Sequence, residues 1–521
     1  MKRLSIVVVI ALLFGMTQCK KTLETVSEVT SDGVYIKLNV SQDSRVIVDP
    51  SWTPDEYASV TFEEGDVIYV GNNGAYCGYL TCDNKGVFGG TINPTSGYDE
   101  DYLHFYFMGN KGPQSEPESV SITDQTSKYP VISYGRSTNL YDPEVNVYET
   151  ILNNKCSIMQ FDTRTIQSDV VISGMNNTVT VDFSKNKGKT APVNPYTYTK
   201  SGDGSIILHR EADGSSWAIV LPQDEVSDAK ATARGYTSTE VRLDQIEPNC
   251  YYYGGEKLPM VETGAIDSKF TVAAGQQVNI SRGNLQAYNS TANSTDGWIW
   301  SFAEHQFDFI GNNTANNAIE SNSISTPGSV DWFGWVGANS SLDAYGINKN
   351  QSDGDYGGVA GEDIKSDWGH NRITNGGDEE DIWRTPTKEE WVYLLTTRTD
   401  ATQKYASGYV NGIRGLILLP DEWTLPEGLG FTPGKDASKN VYTYGEWLLM
   451  EHNGAVFLPS AGARHGQSQG TSGVSGYYWS RTSANYSDYA YYLLVSDYEI
   501  KANDYFFRCY GCSVRLIRNA N

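Results

Sequence analysis

Alternation is the first regularity along this chain. In Val34-Tyr35-Ile36-Lys37-Leu38-Asn39-Val40 apolar and other side chains take turns, which sends Val34, Ile36, Leu38 and Val40 to one face of a β-strand. Val67 to Val70 follows the turn-like Glu63-Glu64-Gly65-Asp66, and Tyr102 to Met108 reads as another strand. So do Val170 to Ile172, Val179 to Phe183, Ile206 to Leu208 and Trp217 to Leu221. Gly, Asn, Asp and Ser separate these runs, as turns require. Helical periodicity is nearly missing. The first half therefore predicts β-sandwich architecture. The polar, Pro-containing stretch from Gly109 to Pro143 divides it into two tandem sandwiches, 25–142 and 143–262.

The second half is patterned differently. Gly311 to Val330 and Gly462 to Gly476 are long loops rich in Gly, Asn and Ser. Arg384-Thr385-Pro386-Thr387-Lys388-Glu389-Glu390-Trp391 predicts a helix start, with Thr387 and Glu390 at capping-box spacing. Trp391, Leu394 and Leu395 then share one face, which makes Trp391 a core residue before it is a ligand platform. Of the twelve Trp residues only Trp52 and Trp217 precede residue 265. So sharp a shift predicts a boundary in Gly264-Ala265-Ile266-Asp267-Ser268 and an α+β domain over 266–521.

The N-terminus changes the picture of where the chain works. Two cations, Lys2 and Arg3, precede thirteen mostly apolar residues, Leu4 to Met16, and Cys19 follows. That is a secretory n-region and h-region, too short to span a bilayer, which needs roughly 20 residues. A cysteine at the cleavage point predicts a lipoprotein signal over 1–19 and acylation of Cys19. Gln18 departs from the small residue usual there. The formal charge of −24 repels nucleic acid and anionic headgroups. Membrane attachment is thus expected through the lipid alone, at the outer membrane and cell surface.

Candidate chemistry is sparse. Cys77/Cys82 and Cys509/Cys512 are the local disulfide candidates in an exported chain, although neighbours on one strand reach disulfide geometry poorly. A zinc reading of Cys509-x-x-Cys512 lacks its second pair. The six His residues include no two at metal spacing on one helix, and His305 sits in an aromatic run that predicts packing. Asp353-Gly354-Asp355 offers oxygens to a hard cation, but Asp and Gly together also make turns. No serine nucleophile, Walker loop or dinucleotide fingerprint stands out. Neither a metal nor a cofactor is expected.

Two resemblances emerge at quoted residues. The lipidated start, Val34 to Val40, Phe62 to Val70 and Trp217-Ala218-Ile219-Val220-Leu221-Pro222-Gln223 resemble the fimbrillin-like lipoproteins of Gram-negative gut and oral anaerobes. The second half is similar to the C-type-lectin-like fold shared with formylglycine-generating enzymes. The matching segments are Phe270 to Gln286, Trp300 to Gly311, Trp383 to Trp391, Leu458 to Gly462, Gly476 to Thr482 and Gly511 to Leu516. Together they imply a fimbrial tip or minor subunit, in which a pilin-like sandwich joins a fibre and a lectin-like domain meets a target. The first resemblance also implies proteolysis after an Arg that follows the first strand, here Arg45, and strand exchange with other fimbrial subunits. The second implies a surface glycan or protein of host or bacterium as partner.

An enzyme of the formylglycine-generating type would hold copper on a cysteine pair. Here Cys509 and Cys512 stand closer than that family's pair, and Cys512 falls where the strand motif wants a packing residue. Calcium-dependent lectins use a Glu-Pro-Asn triplet; Glu247-Pro248-Asn249 lies outside the lectin-like half. Binding without catalysis is the expectation. Trp368, His370 and Asn371 in one loop, and Arg464 and His465 in another, offer the ring faces and planar polar groups that sugars need. Tyr486, Tyr489 and Tyr491 add rings, with Tyr489 and Tyr491 on one strand face that is expected to be core. The rival expectations are a free-standing glycan-binding lipoprotein and the oxidase.

Overall fold

A computed structural model describes residues 33–42, 62–84, 86–95, 101–109, 117, 119–126, 130–189, 191–243, 245–292, 297–311, 326–335, 367–465, 468–486, 489–508 and 510–520. Cys19, Arg45, Cys509 and the Asp353-Gly354-Asp355 turn lie outside the described residues. The chain is mainly β and divides into two compact units. One is Met1–Val120 with Pro130–Cys156 and Val179–Thr197; the other is Ser121–Tyr129 with Ser157–Thr178 and Tyr198–Asn521.

In the first unit the strands are β1 (Val34–Gln42), β2 (Val67–Asn72), β3 (Ala75–Cys82), β4 (Phe88–Ile92), β5 (Tyr102–Met108), β6 (Ile132–Leu140) and β7 (Val147–Asn154). The β2–β3 hairpin turns on Asn73 and Gly74, both at positive φ (52° and 77°). That pair of left-handed residues matches the twist of the flanking strands. The strand order closes into a seven-stranded ring, β1-β4-β3-β2-β5-β6-β7. The closing element is β1. It pairs antiparallel with β4, Ile36 opposite Gly90, and parallel with β7, Leu38 opposite Tyr148. Ring closure leaves β1 no free edge. As the alternation predicts, Ile36 and Leu38 point inward and are fully buried, while Tyr35 is exposed. Phe62 sets its ring edge-on to Phe88 (4.9 Å) and Phe107 (5.2 Å) in the same core.

The second unit begins with two four-stranded sheets. Their strands are β8 (Ser157–Asp162), β9 (Val170–Ser173), β10 (Ile206–Ile207), β11 (His209–Arg210), β12 (Ser216–Val220), β13 (Lys230–Ala233), β14 (Thr239–Glu240) and β15 (Tyr251–Lys257). The orders are β10-β9-β13-β14 and β11-β12-β8-β15. Trp217 on β12 is buried, as are its neighbours Ala218 to Leu221.

The remainder of this unit has small sheets and two described α-helices. It runs β16 (Phe270–Ala273), β17 (Gln276–Ile280), β18 (Leu285–Asn289), β19 (Ile299–Phe302), α1 (Lys388–Thr396), β20 (Tyr405–Val410), β21 (Ile413–Leu418), α2 (Tyr444–His452), β22 (Val456–Pro459), β23 (Ala463–His465), β24 (Gly476–Ser483), β25 (Tyr489–Val495), β26 (Ile500–Phe507) and β27 (Ile517–Asn519). The last strand returns to pair with β17, Ile280 opposite Ile517. Tryptophan enrichment here is mostly a matter of core filling. Trp332, Trp335, Trp383, Trp391, Trp447 and Trp479 are among the largest fully buried side chains. The predicted capping box is present: Thr387 Oγ1 accepts from Glu390 N at 3.1 Å, and Glu390 Oε2 accepts from Thr387 N at 2.8 Å.

A buried polar network runs through this unit. Arg234, just after β13, pairs with Glu451 of α2 at 3.3 Å. Glu451 Oε1 accepts from Gln306 Nε2 at 2.7 Å, and Gln306 Oε1 accepts from Arg515 Nη2 at 2.7 Å. Arg234 also donates to the Glu304 carbonyl at 2.6 Å. Beside it Val171, Ile207 and Leu448 form a small apolar cluster. Residues on both sides of the Gly264–Ser268 linker thus share one compact unit.

Candidate functional site

The expected loop around residue 368 is a single 3-10 turn, Trp368–His370. Asp367 caps it, accepting from Gly369 N at 2.9 Å and from the Thr385 hydroxyl at 2.9 Å. Asp367 is enclosed, and burial raises its pKa despite those donors and Arg481. Trp368 is buried among Trp300, Phe333 and Trp383, so its indole supports the loop from beneath. Asn371 Nδ2 donates to the Trp368 carbonyl at 3.0 Å. His370 is accessible, and its Nδ1 meets Asp381 Oδ1 at 2.6 Å.

Arg464 and His465 lie on β23. Arg464 is fully buried. Its backbone exchanges two 2.8 Å hydrogen bonds with Gly511, and the guanidinium lies beneath that glycine, where a Cβ would come within 3.0 Å of Nε. A side chain at position 511 would therefore press on the Arg464 guanidinium. His465 stacks on Tyr510 at 4.5 Å with the planes 7° apart, and Phe506 meets it edge-on at 5.3 Å. Burial lowers its pKa, which keeps the imidazole neutral near pH 7. Trp368 and Ala463 reach the same core cluster, so the two loops share one base.

The cysteines form no disulfide among the described residues. Cys77, Cys82, Cys156, Cys250 and Cys512 are free thiols. Cys77 and Cys82 are both buried but five positions apart along β3, roughly 16 Å on an extended strand and beyond the reach of a disulfide. Burial pushes the Cys77 thiol up to about 12 and the Cys512 thiol well above its ordinary value. Among the described residues no group of three His, Cys, Asp or Glu is placed to hold a metal. Glu247-Pro248-Asn249 is a turn before β15, with Asn249 at φ 59°.

Tyr489 and Tyr491 were expected in the core and are instead partly exposed on the outer face of the β24-β25-β26 sheet. Their neighbours Ala490 and Tyr492 take the inner face. The reason lies in α1. Further along β25 the same face carries Leu493 and Val495, which pack with Trp391, Leu394 and Leu395 of that helix. Beyond the helix N-terminus the face is partly exposed. Tyr505 pairs with Tyr491, and Phe507 with Tyr489, so four rings stand together. Tyr486 joins them at 5.9 Å from Tyr489, and Lys388 Nζ sits 4.4 Å over the Tyr491 ring. Tyr505, Phe507 and Lys388 escaped the sequence reading. The alternation Tyr505-x-Phe507 was its only signal, and it needed the strand pairing to acquire meaning.

No family model matches this sequence, and no curated protein does. Among solved structures, the chain is similar to a candidate cell adhesion protein from Bacteroides ovatus at 14% identity, covering 45% of this chain and 97% of that one with a TM-score of 0.30. A candidate cell adhesion protein from Bacteroides uniformis has 14% identity, 43% and 92% coverage and a TM-score of 0.29. A fimbrial protein from Bacteroides ovatus has 12% identity and a TM-score of 0.25, and the match covers 94% of this chain and all of that one.

Proposed function

We propose that this chain is an exported, surface-anchored fimbrial subunit of tip or minor type. It joins its neighbours by strand exchange and presents its C-terminal, lectin-like part to a glycan. The observation that carries the assembly half is the position of β1. This strand closes the ring by lying between β4 and β7 and fills it with Ile36 and Leu38. Its removal would expose two strand edges and an apolar slot at once. Each buried aliphatic side chain lost would cost roughly 1.5–3 kcal/mol, and a strand from a second subunit would restore both terms by β-augmentation. Arg45, the proposed cleavage site, follows β1 by three residues. Lipid on Cys19 would hold the precursor at the outer membrane until that cut.

The ligand-facing part is non-catalytic in this reading. The oxidase alternative needs a metal thiolate at Cys512, whose enclosed thiol strongly disfavours losing its proton. His370, Asn371 and His465 are proposed as ligand-facing groups, with Trp368 and Arg464 fixing the two loops from within.

N-terminal sequencing of the chain recovered from sheared fimbriae tests the proposal. A start at Val46 is expected. Recovery solely from membranes, acylated and uncut, would replace it with the free-standing glycan-binding lipoprotein.

A further inference from the structure

The structure assigns a second role to the exposed half of the β24-β25-β26 sheet: we infer that Tyr486, Tyr489, Tyr491, Tyr505 and Phe507 form a stacking platform for neutral, β-linked pyranosides. The inference rests on the reading of this part of the chain as the one that meets ligand, and it names the surface and the sugar class.

Three observations carry it. The first is exposure. Tyr486 and Tyr505 are 64% and 45% exposed, and Tyr489 and Tyr491 beside them are partly exposed. The second is ring geometry. Tyr486 and Tyr489 are inclined at 64°, Tyr489 and Tyr505 at 83°, and Tyr491 and Tyr505 at 89°. The rings thus meet edge to face, with Lys388 over the Tyr491 face, and the exposed surfaces of Tyr486 and Tyr505 are the ones most open to a ligand. A pyranose needs one ring face for its axial C–H bonds and a hydroxyl within reach, and four of the five rings carry a hydroxyl.

The third is charge. The chain carries a net −24, yet the cations at this rim are internally matched. Lys388 pairs with Glu389 at 3.1 Å and Lys501 with Asp504 at 3.5 Å. Those two described lysines are thus neutralised by their partners, and the chain's net charge disfavours an acidic sugar. A neutral ligand meets no such obstacle. A β-linked gluco- or manno-pyranose offers such a face through its axial hydrogens at C1, C3 and C5.

Titration calorimetry of the full chain against cellohexaose, β-1,4-mannohexaose and, as the charged arm, hexagalacturonate tests this. At least one neutral hexasaccharide is expected to bind and hexagalacturonate to fail. Tyr486→Ala and Tyr505→Ala should each weaken binding about tenfold, while Tyr505→Phe should retain most of it. Tyr498→Ala removes a ring that is 89% exposed on the turn after β25 and should change nothing. An unchanged near-ultraviolet circular dichroism spectrum checks that the Ala variants are folded. The inference is overturned if no neutral hexasaccharide binds, if hexagalacturonate binds more tightly, or if binding survives the Tyr486→Ala/Tyr505→Ala double variant. Binding that survives this variant but is lost in His370→Ala would overturn the platform and leave the ligand-meeting reading standing.

Discussion

Arg234 and Glu451 are enclosed together, 217 positions apart in sequence, with Nε and Oε1 at 3.3 Å. Burial opposes the Arg234 charge, yet Glu451, helped by Tyr444, Asp169 and Asp308, holds its pKa above the ordinary value. Removing Glu451 would strand a guanidinium in the interior. Glu451→Ala should therefore cost about 3–5 kcal/mol. The urea midpoint read by tryptophan fluorescence measures this. An Arg234→Met/Glu451→Leu double variant should recover most of the loss; equal loss in single and double variants would show that the pair is not coupled.

The Thr387 cap makes a smaller, local claim. Thr387→Ala deletes one acceptor at the α1 N-terminus and should cost about 1 kcal/mol. Hydrogen exchange of the first-turn amides should quicken about fivefold, with amides of β12 as the unaffected reference. No change there would mean that packing of Trp391 alone sets the helix start.

Protonation of His465 is disfavoured in the fold, because burial lowers its pKa. Between the unfolded value of about 6.5 and the lower folded value, the unfolded chain binds more protons. Stability therefore falls as pH drops below about 6.5 and is unaffected by this group above it. Thermal midpoints of wild type and His465→Phe from pH 7.5 to 5 should diverge only in the acid range, with the variant losing less. Parallel curves would sink the assignment.

Thiol accessibility should follow burial. Cys77, Cys156 and Cys512 are buried, whereas Cys250 is partly exposed. Iodoacetamide added to the native chain at pH 8 should label Cys250 first among the described thiols. The others should react only after denaturation, with no reductant needed. A requirement for reductant at Cys77 and Cys82 would restore the disulfide.

Legibility from sequence tracked how local each interaction is. The strand from Val34, the capping box at Thr387 and Glu390, and the core role of Trp391 all follow from spacings of two to four residues, and the structure has each of them. Ring closure was invisible because β1 finds its partners fifty or more and more than a hundred positions away. The Glu451 network was hidden for the same reason. The tyrosine face was misjudged because periodicity places Tyr489, Tyr491, Leu493 and Val495 on one side, but only the reach of α1 decides which of them are covered. Burial of Arg464 carried no local signal, since an arginine in a Gly-rich loop looks solvated.

The neighbours of β1 run in opposite directions, since it is antiparallel to β4 and parallel to β7. A replacement entering either way would find one parallel and one antiparallel border, so main-chain bonding supplies no compass. Orientation and register would have to be dictated by the two cavities that Ile36 and Leu38 vacate, and a one-residue slip would turn a donor's greasy side to water. The sense of growth of any such filament is then written in two side-chain-sized holes.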